Sequence, residues 1–286
     1  MPKLRMAPRE TAEELIHRLE REKRAADLQR ESNLESSLGN FRVGSVPYLN
    51  AVPLTRGLEG EIKFVPPAQL AEMLARDELD AALVSITEVL FNDRYDLLDG
   101  IAIASLGEVF SVFLAHKEPL QKIRTIYCTT ESRTSVWLLR VLLAERGLKP
   151  EFKELIGAPH EHENVLLIGN PGIEFRRSEH KHQIWDLGAA WYELAKLPFV
   201  YAVWALQRKT GLERLRQQLR EAKDFGVDTL DYLIDNRTEY DRSFRKDYLG
   251  WHIHYHLGSD EKRGIARFVE LLGKHSGKPV FPPKYV

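Results

Sequence analysis

From residue 41 onward the chain alternates short apolar runs with stretches whose apolar positions recur every three or four residues. Short apolar runs bounded by turn residues read as buried strands, and the longer spacing reads as helix. Runs at 42–46, 61–65, 81–86 (AALVSI) and 101–105 predict strands, with a helix over 68–76 on Leu70, Met73 and Leu74. VFSVFLA at 109–115 predicts a strand that no helix precedes. A second series follows: TIYCTT at 125–130, a helix over 133–146, FKELI at 152–156 and VLLIG at 165–169. FVYAVWAL at 199–206 is again a strand without a helix before it. The remainder reads as helices over 211–224, 227–240 and 260–273. Strand–helix alternation implies parallel sheets with right-handed crossovers. Two such series, each followed by an uncushioned strand, predict an α/β protein of two similar lobes that the chain crosses twice. Lobe one would be 41–108 with 199–286, and lobe two 109–198. A cleft between such lobes suits a small molecule, and its closure is a hinge motion that excludes water.

Residues 1–40 break the pattern. They are rich in Glu, Arg, Lys, Asn and Ser, with Thr11 and Glu14 spaced as a capping box and Leu15, Ile16 and Leu19 at helical spacing. They predict one charged, loosely docked surface helix and a linker over 32–40, so that the core could begin at Phe41. A partner-binding or dimerising role, giving a homodimer, is the alternative for this helix.

Composition narrows the function classes. The 286 residues are 43% hydrophobic and 29% charged, and 41 basic against 42 acidic residues leave a net charge of −1. Such a balance offers no field to draw in nucleic acid or a membrane surface. No apolar run approaches the ~20 residues of a membrane span, and the amino terminus lacks an apolar signal core, so a cytoplasmic location is expected. A single cysteine, Cys128 in TIYC, excludes an internal disulfide framework and reads as a packed strand residue.

The strand-to-helix turns carry the candidate chemistry, because ligands of open α/β sheets bind at the carboxyl ends of strands. RVGSVPYLNAVPL at 42–54 places Ser45, Tyr48 and Asn50 at such a turn, with a helix expected over 50–58. Asn50 is also an ordinary N-cap residue. AALVSITE brings Ser85, Thr87 and Glu88, the last expected inside its helix. ESRTS opens the next helix with Ser132, Arg133, Thr134 and Ser135. These hydroxyls and free amides suit a carboxylate or phosphate, with Arg133 adding a bidentate contact; the plainer alternative is capping by Ser132 or Thr134 and a solvated Arg133. VLLIGN supplies Gly169 and Asn170. No Walker loop, G-x-G-x-x-G or G-x-S-x-G elbow is present. Histidines pair at 160/162 and 180/182 and run at 252/254/256, where WHIHYHLG would put three imidazoles on one strand face. A zinc site there needs a fourth ligand, and no metal is assigned.

SVPYLNAVPL (45–54), DAALVSITEV (80–89), SRTSVWLLRVLL (132–143), VLLIGNPG (165–172) and DLGAAWYELAKLPFVYAVWAL (186–206) occur in that order, followed by YLGWHIHYHLG at 248–258. Together they resemble the chorismate dehydratases of the futalosine route to menaquinone, over everything from about Arg42 to the carboxyl terminus. The resemblance implies a two-lobed fold like the type II periplasmic binding proteins. It implies loss of water from chorismate to give 3-enolpyruvyl-benzoate, with neither cofactor nor metal required. A sister enzyme of the route depends on a catalytic histidine, and no histidine stands in the matching cleft loops here. The resemblance makes Asn50 and Ser85 the expected catalytic residues. Ser45, Tyr48, Ser132, Arg133, Thr134, Ser135, Gly169 and Asn170 are the expected substrate contacts. Two departures stand out. Asn170 with Pro171 occupies the place of a usual acidic residue, and Ile86 and Thr87 stand where a second serine is common. A non-catalytic sensor for a carboxylated ligand on the same scaffold is the competing reading.

Overall fold

The computed structural model describes residues 11–129 and 133–286. A charged helix α1 (Ala12–Leu34) leads into β1 (Val43–Ser45), a 3-10 turn (Leu49–Leu54) and β2 (Ile62–Phe64). Then come α2 (Pro67–Ala75), β3 (Ala81–Ser85), α3 (Ile86–Leu90), β4 (Tyr95–Leu97) and β5 (Ile103–Ser105). The middle of the chain holds β6 (Val112–His116), β7 (Thr125–Cys128), α4 (Arg133–Ala144), β8 (Glu151–Glu154), β9 (Asn164–Ile168), α5 (Gly169–Arg177), β10 (Gln183–Asp186) and α6 (Leu187–Ala195). The long β11 (Phe199–Gln207) follows, then α7 (Glu213–Asp228), α8 (Leu230–Asn236), α9 (Arg242–Asp247), α10 (Ser259–His275) and β12 (Lys284–Tyr285).

The strands form two sheets. One has the order β12-β4-β11-β3-β1-β2, with β5 also on β11; the other has β10-β6-β9-β7-β8. The first therefore gathers strands from both ends of the chain and the second only from the middle. β1 pairs β2 and β3 in parallel, and β7 pairs β8 and β9 in parallel. Two strands reverse this: β11 runs antiparallel to β3, β4 and β5, and β6 antiparallel to β9 and β10. β6 enters with no helix before it, as expected, whereas β11 directly follows α6, a helix that the sequence pattern did not place. Each sheet is thus mixed rather than wholly parallel, because a strand entering from the other lobe needs no crossover helix to set its direction.

Several elements differ from the pattern. The helix expected over 50–58 is the single 3-10 turn Leu49–Leu54, with Tyr48 rather than Asn50 as its cap residue. Pro53 supplies no N–H and disfavours helical backbone at Val52, so the turn does not propagate. The turn is held by α7, whose Gly226 packs on Pro53 so closely that a Cβ would stand 1.9 Å from the Pro53 carbonyl oxygen. The core also begins earlier than Phe41. Leu34 and Leu38 are 3% and 2% exposed and pack in the main cluster, while residues 11–26 are exposed. β4, β10 and β12 are too short to register as apolar runs. Trp191 is fully buried against Phe199 and Phe268, and its indole N–H donates to the Pro198 carbonyl at 3.1 Å. No helix among the described residues is long and apolar enough to cross a membrane.

At the foot of β3, Asp80 is 4% exposed. It accepts the backbone N–H and the guanidinium of Arg42, each at 2.8 Å, and pairs with the Lys209 ammonium. Burial alone would raise its pKa, but these donors outweigh it and hold the carboxyl at about 2. A depressed folded-state pKa contributes stability that is present above the ordinary carboxyl value and lost as pH falls through the folded value. Asp80→Asn is therefore expected to lower the urea midpoint at pH 7 by an amount that shrinks between about pH 4 and pH 2. Parallel urea titrations of the two proteins across that range check this.

Candidate active site

The turns at the strand ends converge on a cavity between the sheets. The first lobe supplies Val46, Tyr48, Asn50, Leu83, Ser85, Ile103, Tyr201 and Ile253, and the second Val112, Thr134, Ser135, Ile168 and Gly169, with Val109 and Ser111 from the crossing segment between them. The non-atom space, open mouth included, comes to about 630 Å³. Apolar side chains dominate the wall, and its polar points are hydroxyls, phenols and one carboxamide. Among the described lining residues none carries a carboxylate, imidazole, ammonium or guanidinium.

Six expected site residues meet here: Tyr48, Asn50, Ser85, Thr134, Ser135 and Gly169. The Asn50 Oδ1 is buried and accepts no hydrogen bond. Asn50 also stands beside the Tyr248 phenol. That phenol is buried, which pushes its pKa up, and contacts from Ser111 and Asn50 only partly oppose the shift. Its O–H lies 2.8 Å from the Ser111 oxygen, to which it donates. Ser85 precedes α3 and makes no side-chain cap bond, so its hydroxyl is not spent on the helix. Gly169 opens α5 directly beneath the Tyr48 ring, with the place of a Cβ only 3.5 Å from the ring edge.

Other expected residues are used differently. Ser45 is buried within β1, away from the cavity wall, and its hydroxyl has no partner. Arg133 turns out of the cavity and pairs with Glu88 at 3.1 Å, its side chain 62% exposed. The reason is local: Glu88, buried in α3 and pushed up in pKa by burial, draws the nearest cation, and Arg133 partly offsets that shift. Asn170 also lies off the wall. Its Oδ1 takes a long 3.5 Å contact from the Leu49 N–H, and its carbonyl one from the Tyr240 hydroxyl. Ser132 lies outside the described residues.

Ser111 and Tyr201 are cavity-wall positions that sequence reasoning passed over. Both sit inside runs read as plain strand, so neither had a turn to mark it. Ser111 is 1% exposed. The Tyr201 hydroxyl shares a 3.1 Å hydrogen bond with Ser105, and burial pushes its pKa well above the ordinary phenol value. It is a neutral group at physiological pH. The histidine run does not form a strand face either. His252 ends a π-turn over Tyr248–His252, and only His254 and His256 lie on extended chain beyond it.

Thr134 fastens the lobes. Its Oγ1 accepts the Thr87 N–H at 3.3 Å and lies 3.1 Å from the Thr87 hydroxyl, all buried. With the Glu88–Arg133 pair it forms a clasp between α3 and α4 at one mouth of the cavity.

Two sheets joined by two crossings around such a cavity define a two-lobed scaffold of the periplasmic-binding-protein type. The alkanesulfonate-binding protein SsuA from Xanthomonas axonopodis pv. citri, solved bound to MOPS, shares it. The TM-score is 0.62 over 86% of this chain and 98% of that one, at 13% identity, a likeness of fold alone. The family model described as menaquinone biosynthesis matches residues 41–274, and the chain belongs to that family. A chorismate dehydratase from Thermus thermophilus is 33% identical over 273 residues, spanning 85% of this chain and 99% of the relative. A second, from Campylobacter jejuni, is 25% identical over 228 residues, spanning 78% and 89%.

Thr134→Val keeps the shape of the side chain and removes the acceptor from the Thr87 amide. It is expected to cost about 1–3 kcal/mol in urea unfolding, whereas Thr134→Ser, which keeps the oxygen, should lose much less.

Proposed function

We propose that this chain is a chorismate dehydratase, eliminating water from chorismate to give 3-enolpyruvyl-benzoate in menaquinone biosynthesis. The observation that carries this reading is the identity to the Thermus enzyme over 99% of that relative's length. The cavity supplies the chemistry that fits it. Chorismate brings two carboxylates and one ring hydroxyl. The amino ends of α4 and α5, with Thr134, Ser135 and Gly169, offer amides and hydroxyls to the carboxylates.

The elimination breaks the C–H bond at the ring carbon that carries the enolpyruvyl ether and the C–O bond at its neighbour. The electron pair left by the proton becomes the new ring double bond and completes the aromatic system. The proton and the departing hydroxide together make water, and no electrons are exchanged with a second molecule. A base must take the first proton, and no described wall residue has a pKa suited to it. Serine, threonine and asparagine are poor bases, and Tyr201 is held neutral. The substrate's own enolpyruvyl carboxylate fills that role, so the protein contributes by fixing the conformer in which carboxylate and proton meet. The unpartnered Asn50 Oδ1 receives the ring hydroxyl and orients it. The Ser85 hydroxyl donates to the oxygen as it leaves. Closure over an apolar wall strengthens both contacts by keeping water out.

The test is incubation of purified protein with chorismate in chelator, followed by ultraviolet absorbance and mass. The expected result is loss of one water and appearance of an aromatic enolpyruvyl ether; saturable binding without turnover would instead favour a sensor. Asn50→Ala is expected to lower kcat by about 100-fold or more with an unchanged melting temperature. Wild-type turnover in that variant would remove Asn50 from the mechanism.

A further inference from the structure

We propose that His254, His256 and Glu261 form a binding site for a divalent transition metal, zinc above all, on the outside of the first lobe. The backbone places the ligands. Residues two apart on extended chain face the same way, so the His254 and His256 imidazoles leave together, ring centroids 5.0 Å apart. Ile253 and Tyr255 face the other way, into the core, and Ile253 reaches the cavity wall. The His254 backbone is tied to Ala104 by hydrogen bonds of 3.0 and 2.9 Å in both directions, so the pair is presented from a fixed edge. Glu261 comes from the first turn of α10, and its Oε2 accepts the Gly258 N–H at 2.8 Å.

The spacing is that of a metal site. His254 Nε2 lies 3.1 Å from Glu261 Oε1, and His256 Nε2 lies 3.6 Å from Oε2. The ligand atoms of all three residues fall within 4.8 Å of one another. Bonds of about 2.1 Å at tetrahedral angles separate ligands by about 3.4 Å, a value the two measured gaps bracket. The fourth position opens to solvent on the side of His256, whose side chain is 62% exposed. Two imidazoles and a carboxylate are donors that zinc accepts.

The charge points the same way. Glu261 is 4% exposed, and among the described residues its only ion partners are these two imidazoles. The neighbouring cations are committed elsewhere, Lys262 to Asp99 and Arg263 to Asp260. A buried carboxylate with no ammonium or guanidinium partner among the described residues is poorly compensated, and a dication between the three groups supplies the missing charge. The metal binds the Nε2 lone pairs of neutral imidazoles with their protons on Nδ1, so no redox step is involved. His162 and His182 are differently engaged: each spends Nε2 on a backbone carbonyl, at 2.8 and 2.7 Å. A metal here clamps residues 253–257 to α10 behind the cavity, a structural rather than a catalytic role.

The test uses tag-free full-length protein stripped with chelator and titrated with zinc chloride in a calorimeter, and with cobalt in a spectrophotometer. The expected result is one equivalent of zinc per chain, a raised melting temperature and a visible cobalt band of low-symmetry coordination. His256→Ala removes an exposed ring and should weaken zinc binding by about 100-fold or more, abolish the melting shift and leave chorismate turnover unchanged. His254→Ala should do the same to zinc. Absence of saturable zinc binding, or binding that survives unaltered in His256→Ala, would overturn the assignment.

Discussion

The carboxylate of Asp186 sets the relation between the two lobes. It accepts four backbone N–H groups: Val109 at 3.1 Å, Phe110 at 2.9 Å, and Gly188 and Ala189 at 3.0 Å each. The first two belong to the outgoing crossing of the chain, and the last two open α6, which leads to the return crossing. One side chain therefore ties both connections at a single point, with Arg176 adding an ion pair at 3.3 Å. Burial pushes the Asp186 pKa up, and the amides and Arg176 oppose this without cancelling it. Removing one partner of so buried a charge leaves the rest uncompensated, a loss of about 3–5 kcal/mol in comparable cases. The same knot explains the Phe110 backbone, which sits at φ +66°, a costly conformation for a bulky residue. Its N–H is held by Asp186, and its ring lies under the Arg176 guanidinium at 4.0 Å and against Phe244 at 5.1 Å. It also explains why β6 begins at Val112 rather than 109: the first amides of that run are already bonded to the knot.

The cavity inherits its shape from this constraint. Gly188, beside Asp186, lies where a Cβ would stand 2.3 Å from the Gly107 carbonyl and 2.8 Å from the Tyr201 hydroxyl. The crossings can approach so closely only because that position has no side chain. The approach presses Tyr201 against Ser105 and into the cavity floor, and it brings Ser111 within reach of Tyr248. The hinge and the polar floor of the site are thus one structure. At the opposite mouth the lobes meet through side chains, Thr87 with Thr134 and Glu88 with Arg133, which can part without breaking any backbone ladder.

Much of this was legible in the sequence, for identifiable reasons. Buried strands such as AALVS and VLLI announce themselves by unbroken apolar runs, and so do β6 and β11, which pair antiparallel in the two sheets, although α6 precedes β11 where no helix was expected. The serine- and threonine-rich openings of α3 and α4 marked the turns that reach the cavity. What escaped depended on partners distant in sequence. Nothing near Arg133 shows that its guanidinium will turn toward Glu88, 45 residues earlier. Ser111 and Tyr201 read as strand residues because only the hinge gives them a cavity to face. Asn50 had the right place but the wrong local role, since the cap it was expected to form belongs to a longer helix that Pro53 forbids.

Asn170 shows how such a departure can be absorbed. It stands where the family resemblance leads one to expect an acid, and its side-chain oxygen faces the Leu49 amide of the opposite lobe. A carboxylate could accept the same contact, so the geometry does not require the amide. The charge is what differs. The site is proposed to receive a dianion through neutral donors, and among the described residues its wall carries no cation, the nearby Arg133 being engaged by Glu88. A carboxylate at this half-buried position beside the cavity would add a negative charge near such a ligand. Asparagine keeps the acceptor and removes that charge. The substitution therefore preserves the closing contact between α5 and the Leu49–Leu54 turn while leaving the neutral, donor-lined character of the cavity intact.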